Sequence, residues 1–181
     1  MNTEKLKQPL AQNDIAQRTG GGGMKLDYLE GWFVIDQANE IFGFDNWSYK
    51  VDGTKIMKEA ITKDSYGKDT YKALCEATVT VYVGSVFRQD VGTVIGSGKT
   101  EMDAIEIGYK GAVTDAMKRA FRTFGNQFGN CLYDKEKGGV EKAGISTPSV
   151  INTFAEKTNG MYPDQKKGTP VKDMLNDDIG F

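Results

Sequence analysis

Three observations predict an α+β fold in which an antiparallel sheet and a β-hairpin pack on one long helix. Residues 77–83, Ala-Thr-Val-Thr-Val-Tyr-Val, alternate in period two, the pattern of a half-buried strand. From Thr100 to about Phe124 the apolar residues Ile105, Tyr109, Ala112, Ala116, Ala120 and Phe124 recur at steps of three or four, the stripe of an amphipathic helix. Beyond Lys135 periodicity stops and Gly, Lys, Thr, Asn and Asp accumulate with Pro148, Pro163 and Pro170, which predicts a flexible C-terminal tail over 138–181.

Taken in order, the chain begins with a polar stretch closed by Gly20 to Gly23. Glycine loses the most conformational entropy on ordering, so this run reads as a joint. A flexible arm over 1–23 and a folded domain over 24–137 are expected. Leu29, Phe33, Ile35, Ala38, Ile41 and Phe42 follow at helical spacing, and Gly43 is a natural stop, which predicts a helix over 28–42. Between Trp47 and Ile95 β-branched and aromatic residues come in short runs. Ser65 to Lys68 supplies a polar turn, and Gly84-Ser85 joins the alternating strand to a hairpin partner at Val86 to Ile95.

Composition narrows the chemistry. The 181 residues suit one domain with tails, and 39% hydrophobic content supports a core in part of it. With 23 Lys plus Arg against 25 Asp plus Glu the net charge is -2, so any nucleic-acid site must be a local patch. Histidine is absent, which excludes Ser/His and Cys/His catalytic arrangements. Cys75 and Cys131 lack the spacing of a zinc site or a disulfide framework, and a reducing compartment fits them. Neither a signal-peptide core nor a membrane-length apolar run is seen, so a soluble, cytoplasmic protein is expected.

Within the long helix, Lys118, Arg119 and Arg122 stand at offsets of one, three and four and so share one side. Such a stripe can neutralise successive phosphates of a strand, each contact releasing counterions. The same spacing also lets Asp115 pair with Lys118 or Arg119, which would leave an ordinary solvated face. Periodicity alone leaves both readings open.

Three further features invite functional readings. Gly92-Thr-Val-Ile-Gly-Ser-Gly-Lys-Thr100 looks like a phosphate-binding loop, but a Walker A motif needs glycine where Thr93 stands, and no magnesium-binding strand follows. Trp32, Trp47, Tyr49, Tyr66, Tyr71, Tyr82 and Tyr109, interleaved with Lys50, Lys55 and Lys72, suggest base stacking, although core or subunit-interface packing explains them more simply. Gly125-Asn126 and Gly129-Asn130 read as helix-terminating turns.

Residues 112–135, Ala-Val-Thr-Asp-Ala-Met-Lys-Arg-Ala-Phe-Arg-Thr-Phe-Gly-Asn-Gln-Phe-Gly-Asn-Cys-Leu-Tyr-Asp-Lys, closely resemble the signature helix of the Rad-fifty-two family of annealing proteins. A second block, Tyr28-Leu-Glu-Gly31 followed by Ala38-Asn-Glu-Ile-Phe-Gly-Phe44 and Asn46-Trp47, resembles that family's first helix and the turn after it. The resemblance covers roughly 28–135. It implies an α+β unit whose copies close into a homo-oligomeric ring with a basic groove outside. It also implies ATP-independent single-stranded DNA binding and annealing in recombination or repair, with no catalytic residue, metal or cofactor. The alternative is a ring-forming scaffold or mediator without annealing activity. The short chain is similar to phage and prophage members such as the Sak recombinases, which implies a bacterial host cytoplasm.

By the same resemblance, Lys118, Arg119 and Arg122 line the main DNA groove, and Lys99 belongs to a second, outer DNA site. Lys110, on the same helix, completes the DNA-binding set. The chain departs from the pattern at Phe33, where many relatives place a groove arginine; helical spacing favours a core role for it over stacking on a base. The final Asp177, Asp178, Ile179 and Phe181 resemble the acidic, Phe-ended tip of bacterial single-stranded DNA-binding proteins, with glycine for the usual proline. That resemblance implies docking to host replication or repair proteins. The alternative is a solvated tail.

Overall fold

The computed structural model describes residues 3–134, 136 and 138–141, so Asp177, Asp178, Ile179 and Phe181 lie outside the described residues. A short helix, α1 (Thr3–Lys7), leads into a two-stranded hairpin of β1 (Ala16–Thr19) and β2 (Lys25–Tyr28). Helix α2 (Gly31–Phe42) follows. An antiparallel sheet of order β3 (Trp47–Lys63), β4 (Asp69–Val83), β5 (Val86–Gly98) then leads into α3 (Glu101–Arg122). Two 3₁₀ turns, Asn126–Phe128 and Asn130–Tyr133, complete the described core.

Helix α3 crosses one face of the sheet. Alternate residues of β4, namely Ala73, Cys75, Ala77, Val79, Val81 and Val83, are buried there against Ala104, Ala112, Ala116 and Ala120. On β5 the matching positions carry Gly92 and Gly96, opposite Ala77 and Ala73. A β-carbon at Gly92 would stand 2.5 Å from the Ala112 carbonyl oxygen, and one at Gly98 2.5 Å from Asp103 Cβ. The glycines that imitate a phosphate loop therefore let helix and strand backbones touch, and β5 runs through them to Gly98 instead of ending at Ile95. Thr100 then caps α3: its Oγ1 accepts the Asp103 N–H at 3.1 Å while Asp103 Oδ2 accepts the Thr100 N–H at 3.2 Å.

The other end of α3 meets large rings. Phe121, wholly buried, stacks on Phe128 at 5.1 Å and meets Trp47 edge-on at 5.2 Å, with Phe42 and Phe124 around them. Such pairs add about 0.5–1.5 kcal/mol each beyond area burial. Phe33 is 3% exposed and belongs to this core, as its helical spacing suggested.

Among the described residues no element covers the far face of the sheet. Strand β3 is an outer strand exposed along nearly its whole length, including Tyr49, Val51, Ile56, Met57 and Ile61. Bulges after Val51 and Ile56 interrupt its register with β4. At the first, Asp52 accepts hydrogen bonds from Thr80 and Gln89 and pairs with Lys50 at 3.1 Å. The β3–β4 turn is fixed by Asp64, whose Oδ1 accepts the Tyr66 and Lys68 N–H groups at 2.8 and 2.9 Å.

The residues before Met24 depart from the expected flexible arm. Leu6 and Leu10 are buried, isolated apolar residues whose partners lie more than a hundred positions away and leave no local periodicity. Leu10 N–H donates to the Gly139 carbonyl at 2.8 Å, and Glu141 N–H donates to the Leu10 carbonyl at 2.9 Å. Gln127 Nε2 donates to the Pro9 carbonyl at 2.8 Å. The expected tail boundary at 138 thus falls inside this pairing. The glycine run is the turn of the β1–β2 hairpin, where Gly22 (φ 71°) and Gly23 (φ 79°) adopt left-handed backbone angles. Among the described residues no helix is long and apolar enough to cross a membrane.

Candidate nucleic-acid interface

The C-terminal half of α3 carries Lys118, Arg119 and Arg122 on one flank, and a different element holds each. Lys118 Nζ donates to the Leu29 carbonyl at 3.2 Å and lies 5.4 Å from the centre of the Tyr28 ring. Arg119 Nε donates to Asp90 Oδ1 at 3.1 Å. The Arg122 guanidinium lies 4.2 Å from the centre of the Tyr133 ring. Asp115 is not the ion-pair partner of Lys118 or Arg119 among the described residues; Asp90, from β5, takes Arg119. The hydrogen bond that Arg119 donates to Asp90 holds its guanidinium above its ordinary pKa against partial burial, with the charges of Asp90 and Asp115 adding to it.

The junction of β2 and α2 positions Lys118. Gly31 meets Thr114 so closely that a β-carbon there would stand 3.0 Å from the threonine methyl, and Leu29 lies against Gly129. The two sequence blocks that carry the family resemblance therefore meet in space, with the Leu29 carbonyl aimed at the Lys118 ammonium. Tyr28 donates to Glu30 Oε1 at 2.7 Å, which raises the pKa of its phenol and keeps its ring beside Lys118.

Residues not legible from local spacing extend the surface. The Arg18 guanidinium, from β1, lies 5.8 Å from the centre of the same Tyr28 ring, so that one ring serves both Lys118 and Arg18. Arg88, from β5, lies 5.4 Å from the Phe124 ring centre, and Tyr133 is 70% exposed. Guanidinium groups over aromatic faces gain about 0.5–1 kcal/mol at exposed sites and keep their N–H edges available. Arg88 and Phe124, like Lys118 and Tyr28, are far apart in sequence, whereas Arg18–Tyr28 and Arg122–Tyr133 lie 10 and 11 positions apart but across turns that break helical or strand periodicity.

Two other expected residues stand apart. At 1.5 Å rise per residue Lys110 lies about 12 Å from Lys118 along α3 and, at about 100° per residue, on the far side from Arg119. It is exposed and pairs with Glu106 one turn earlier. Lys99 is exposed just before the Thr100 cap, about 28 Å along the axis from Lys118. The structure brings Lys118, Arg119 and Arg122 together and leaves these two outside the stripe.

Chemically, the stripe is a row of fixed cations flanked by aromatic rings on a chain of net charge -2. Concentrated positive charge of this kind suits a polyanion with regularly spaced charges. Cys75 and Cys131 are buried free thiols whose pKa values burial raises, so neither is poised as a nucleophile.

Comparison with known proteins finds fungal relatives. The chain is 40% identical over 136 residues to the DNA repair and recombination protein RAD52 of Kluyveromyces lactis, covering 73% of this chain and 30% of that protein. It is 38% identical over 186 residues to the RAD52 of Eremothecium gossypii, covering 92% and 42%. It is 40% identical over 184 residues to the DNA repair and recombination protein rti1 of Schizosaccharomyces pombe, covering 98% and 48%. The chain thus spans less than half the length of these relatives. All three are fungal, so the expected phage or prophage form and bacterial host gain no support from them. Residues 2–148 match the family described as Rad52/22 family double-strand break repair protein, and on that match, with the two signature blocks packed together, the chain belongs to the Rad52/22 family.

Proposed function

We propose that the chain binds single-stranded DNA along the α3 stripe and anneals complementary strands as a homo-oligomer, without nucleotide hydrolysis. One observation carries this reading: Lys118, Arg119 and Arg122 share one flank of α3 with their cationic heads held by separate elements. Fixed cations grip phosphates at small entropic cost, and the bases remain free to face a second strand. Pairing free energy then drives annealing, while the protein supplies alignment and charge screening. Copies in one assembly raise the effective concentration of the strands they hold.

Assembly into a ring is part of the proposal. The exposed outer strand β3, with Tyr49, Val51, Ile56, Met57 and Ile61, is the kind of edge that soluble chains cover or pair. Lys99, on the α3 N-terminal side, suits a second DNA contact distinct from the stripe, and the tip at Asp177, Asp178, Ile179 and Phe181 suits docking to replication or repair proteins.

The test is annealing of complementary labelled oligonucleotides without ATP or magnesium, with wild type compared to Lys118, Arg119 and Arg122 changed together to alanine, and assembly mass measured for both. Annealing lost by an intact mutant assembly supports the reading. A wild type that assembles but does not anneal at any salt concentration replaces it with a scaffold role.

A further inference from the structure

Against the basic stripe stands a β5 carboxylate, Asp90, that charge counting alone would remove. Asp90 Oδ1 accepts the Val91 N–H at 2.8 Å and Arg119 Nε at 3.1 Å. The backbone bond ties the carboxylate to β5, so Asp90 is a fixed post and not a mobile counter-ion. Arg119 meets it through Nε. Neither terminal nitrogen, Nη1 or Nη2, hydrogen-bonds to a described residue, and the side chain is 41% exposed.

Guanidinium is a rigid planar fork that offers either its Nε side or its Nη1–Nη2 end to a two-oxygen acceptor. With Nε occupied, the end remains, and its orientation is set by Asp90. An arginine on a flexible stem would lose that orientation and spend rotamer freedom on each encounter.

We propose that Asp90 is a positioning residue for phosphate recognition, holding Arg119 through Nε so that Nη1 and Nη2 present a fork to one backbone phosphate. The proposal rests on the single-stranded DNA reading above and deepens it. It also opposes simple electrostatics. Removing a negative charge beside a phosphate site strengthens binding if charge alone acts, and weakens binding if Asp90 works by orienting Arg119.

The experiment is fluorescence anisotropy of a labelled oligothymidine with the full chain, comparing wild type with Asp90→Ala, Asp90→Asn, Arg119→Ala, Arg119→Lys and the double Asp90→Ala, Arg119→Ala. Ordering one long side chain is worth enough that Asp90→Ala should weaken binding by about two- to tenfold. That loss should vanish in the Arg119→Ala background. Asp90→Asn keeps an acceptor oxygen for both N–H groups and should bind within about twofold of wild type. Should Asp90→Ala fail to fold, Arg119→Lys serves: it keeps the charge without the fork and should bind within about twofold of Arg119→Ala.

Equal or tighter binding by Asp90→Ala overturns the positioning role, as does an undiminished loss in the double variant or wild-type binding by Arg119→Lys. A wild type that binds no oligonucleotide at any salt overturns the parent reading and, with it, this one.

Discussion

Gly96 of β5 faces Gly108 of α3 with no space for a side chain between them: a β-carbon on Gly96 would stand 2.4 Å from the Gly108 nitrogen and 1.9 Å from the Ala104 carbonyl oxygen. Backbone cannot yield as a side chain does, so the helix would have to lift from the sheet. Gly96→Ala should destabilise the fold by about 1–3 kcal/mol or abolish it. Gly53→Ala, where a β-carbon meets nothing within 4 Å, should change stability by under about 0.5 kcal/mol. Urea denaturation followed by circular dichroism checks both, and an indifferent Gly96→Ala would refute the close-packed seam.

Leu10 is fully buried although it lies far before the glycine run. Leu10→Ala should cost about 2–5 kcal/mol, the usual range for emptying a packed leucine site. Thermal unfolding of the variant measures it. A melting temperature equal to wild type would show that the N-terminal segment is outside the cooperative unit.

Salt dependence of oligonucleotide binding counts phosphate contacts. With single strands losing about 0.7 of slope per contact, the triple Lys118, Arg119, Arg122 alanine variant should lose about 2, and Arg18→Ala, across Tyr28 from the stripe, about 0.7. Anisotropy titrations at several salt concentrations give these slopes. A triple variant with the wild-type slope would move the phosphate contacts elsewhere.

Two carboxylates should shift acid stability in opposite senses. Hydrogen bonds from Thr80 and Lys50 hold the Asp52 carboxyl below its ordinary 3.8, so its contribution is complete above that pH and is lost as pH falls through the lower folded value. Asp52→Asn should therefore destabilise near neutrality and lose that deficit in strong acid. Burial, then the charge of Glu141, raises Asp14 above 3.8, so its ionisation opposes folding as pH rises past that value. Asp14→Asn should stabilise at pH 7 with no gain well below 3.8. Melting temperatures across pH 2–7 decide both signs.

If β3 is where copies meet, adding charge there should separate them. Val51→Lys with Ile61→Lys, both at exposed positions, should lower the mass seen by light scattering while far-ultraviolet circular dichroism is retained. An unchanged mass would place the contact on another face.

Elements with strong local signals were legible from the sequence. The alternation of residues 77–83 and the periodicity after Thr100 correspond to β4 and α3, and the α2 stop at Gly43 matches as well. Tyr28 fell outside α2 because the block before Gly31 finishes a strand. The glycines at 96 and 98 suggested an ending to β5 at Ile95, since what they accommodate is a helix reached later in the chain. Within the site, helical spacing placed Lys118, Arg119 and Arg122 on one flank. It could not reveal Asp90, Arg18 or Tyr133, whose roles arise from strands and turns folded onto that helix.

The pairing of Leu10 with Gly139 and Glu141 also fixes when the fold can be completed. During synthesis at about 5–20 residues per second, Leu10 emerges on the order of ten seconds before the segment that covers it. Until then two apolar side chains, Leu6 and Leu10, wait without their final neighbours, and closing so long a loop adds entropy to the barrier. The earliest-made part of the domain is thus among the last to be secured, so a ribosome that stalls between α3 and Gly139 would leave the sheet and helix formed and the N-terminal segment open to proteases and chaperones.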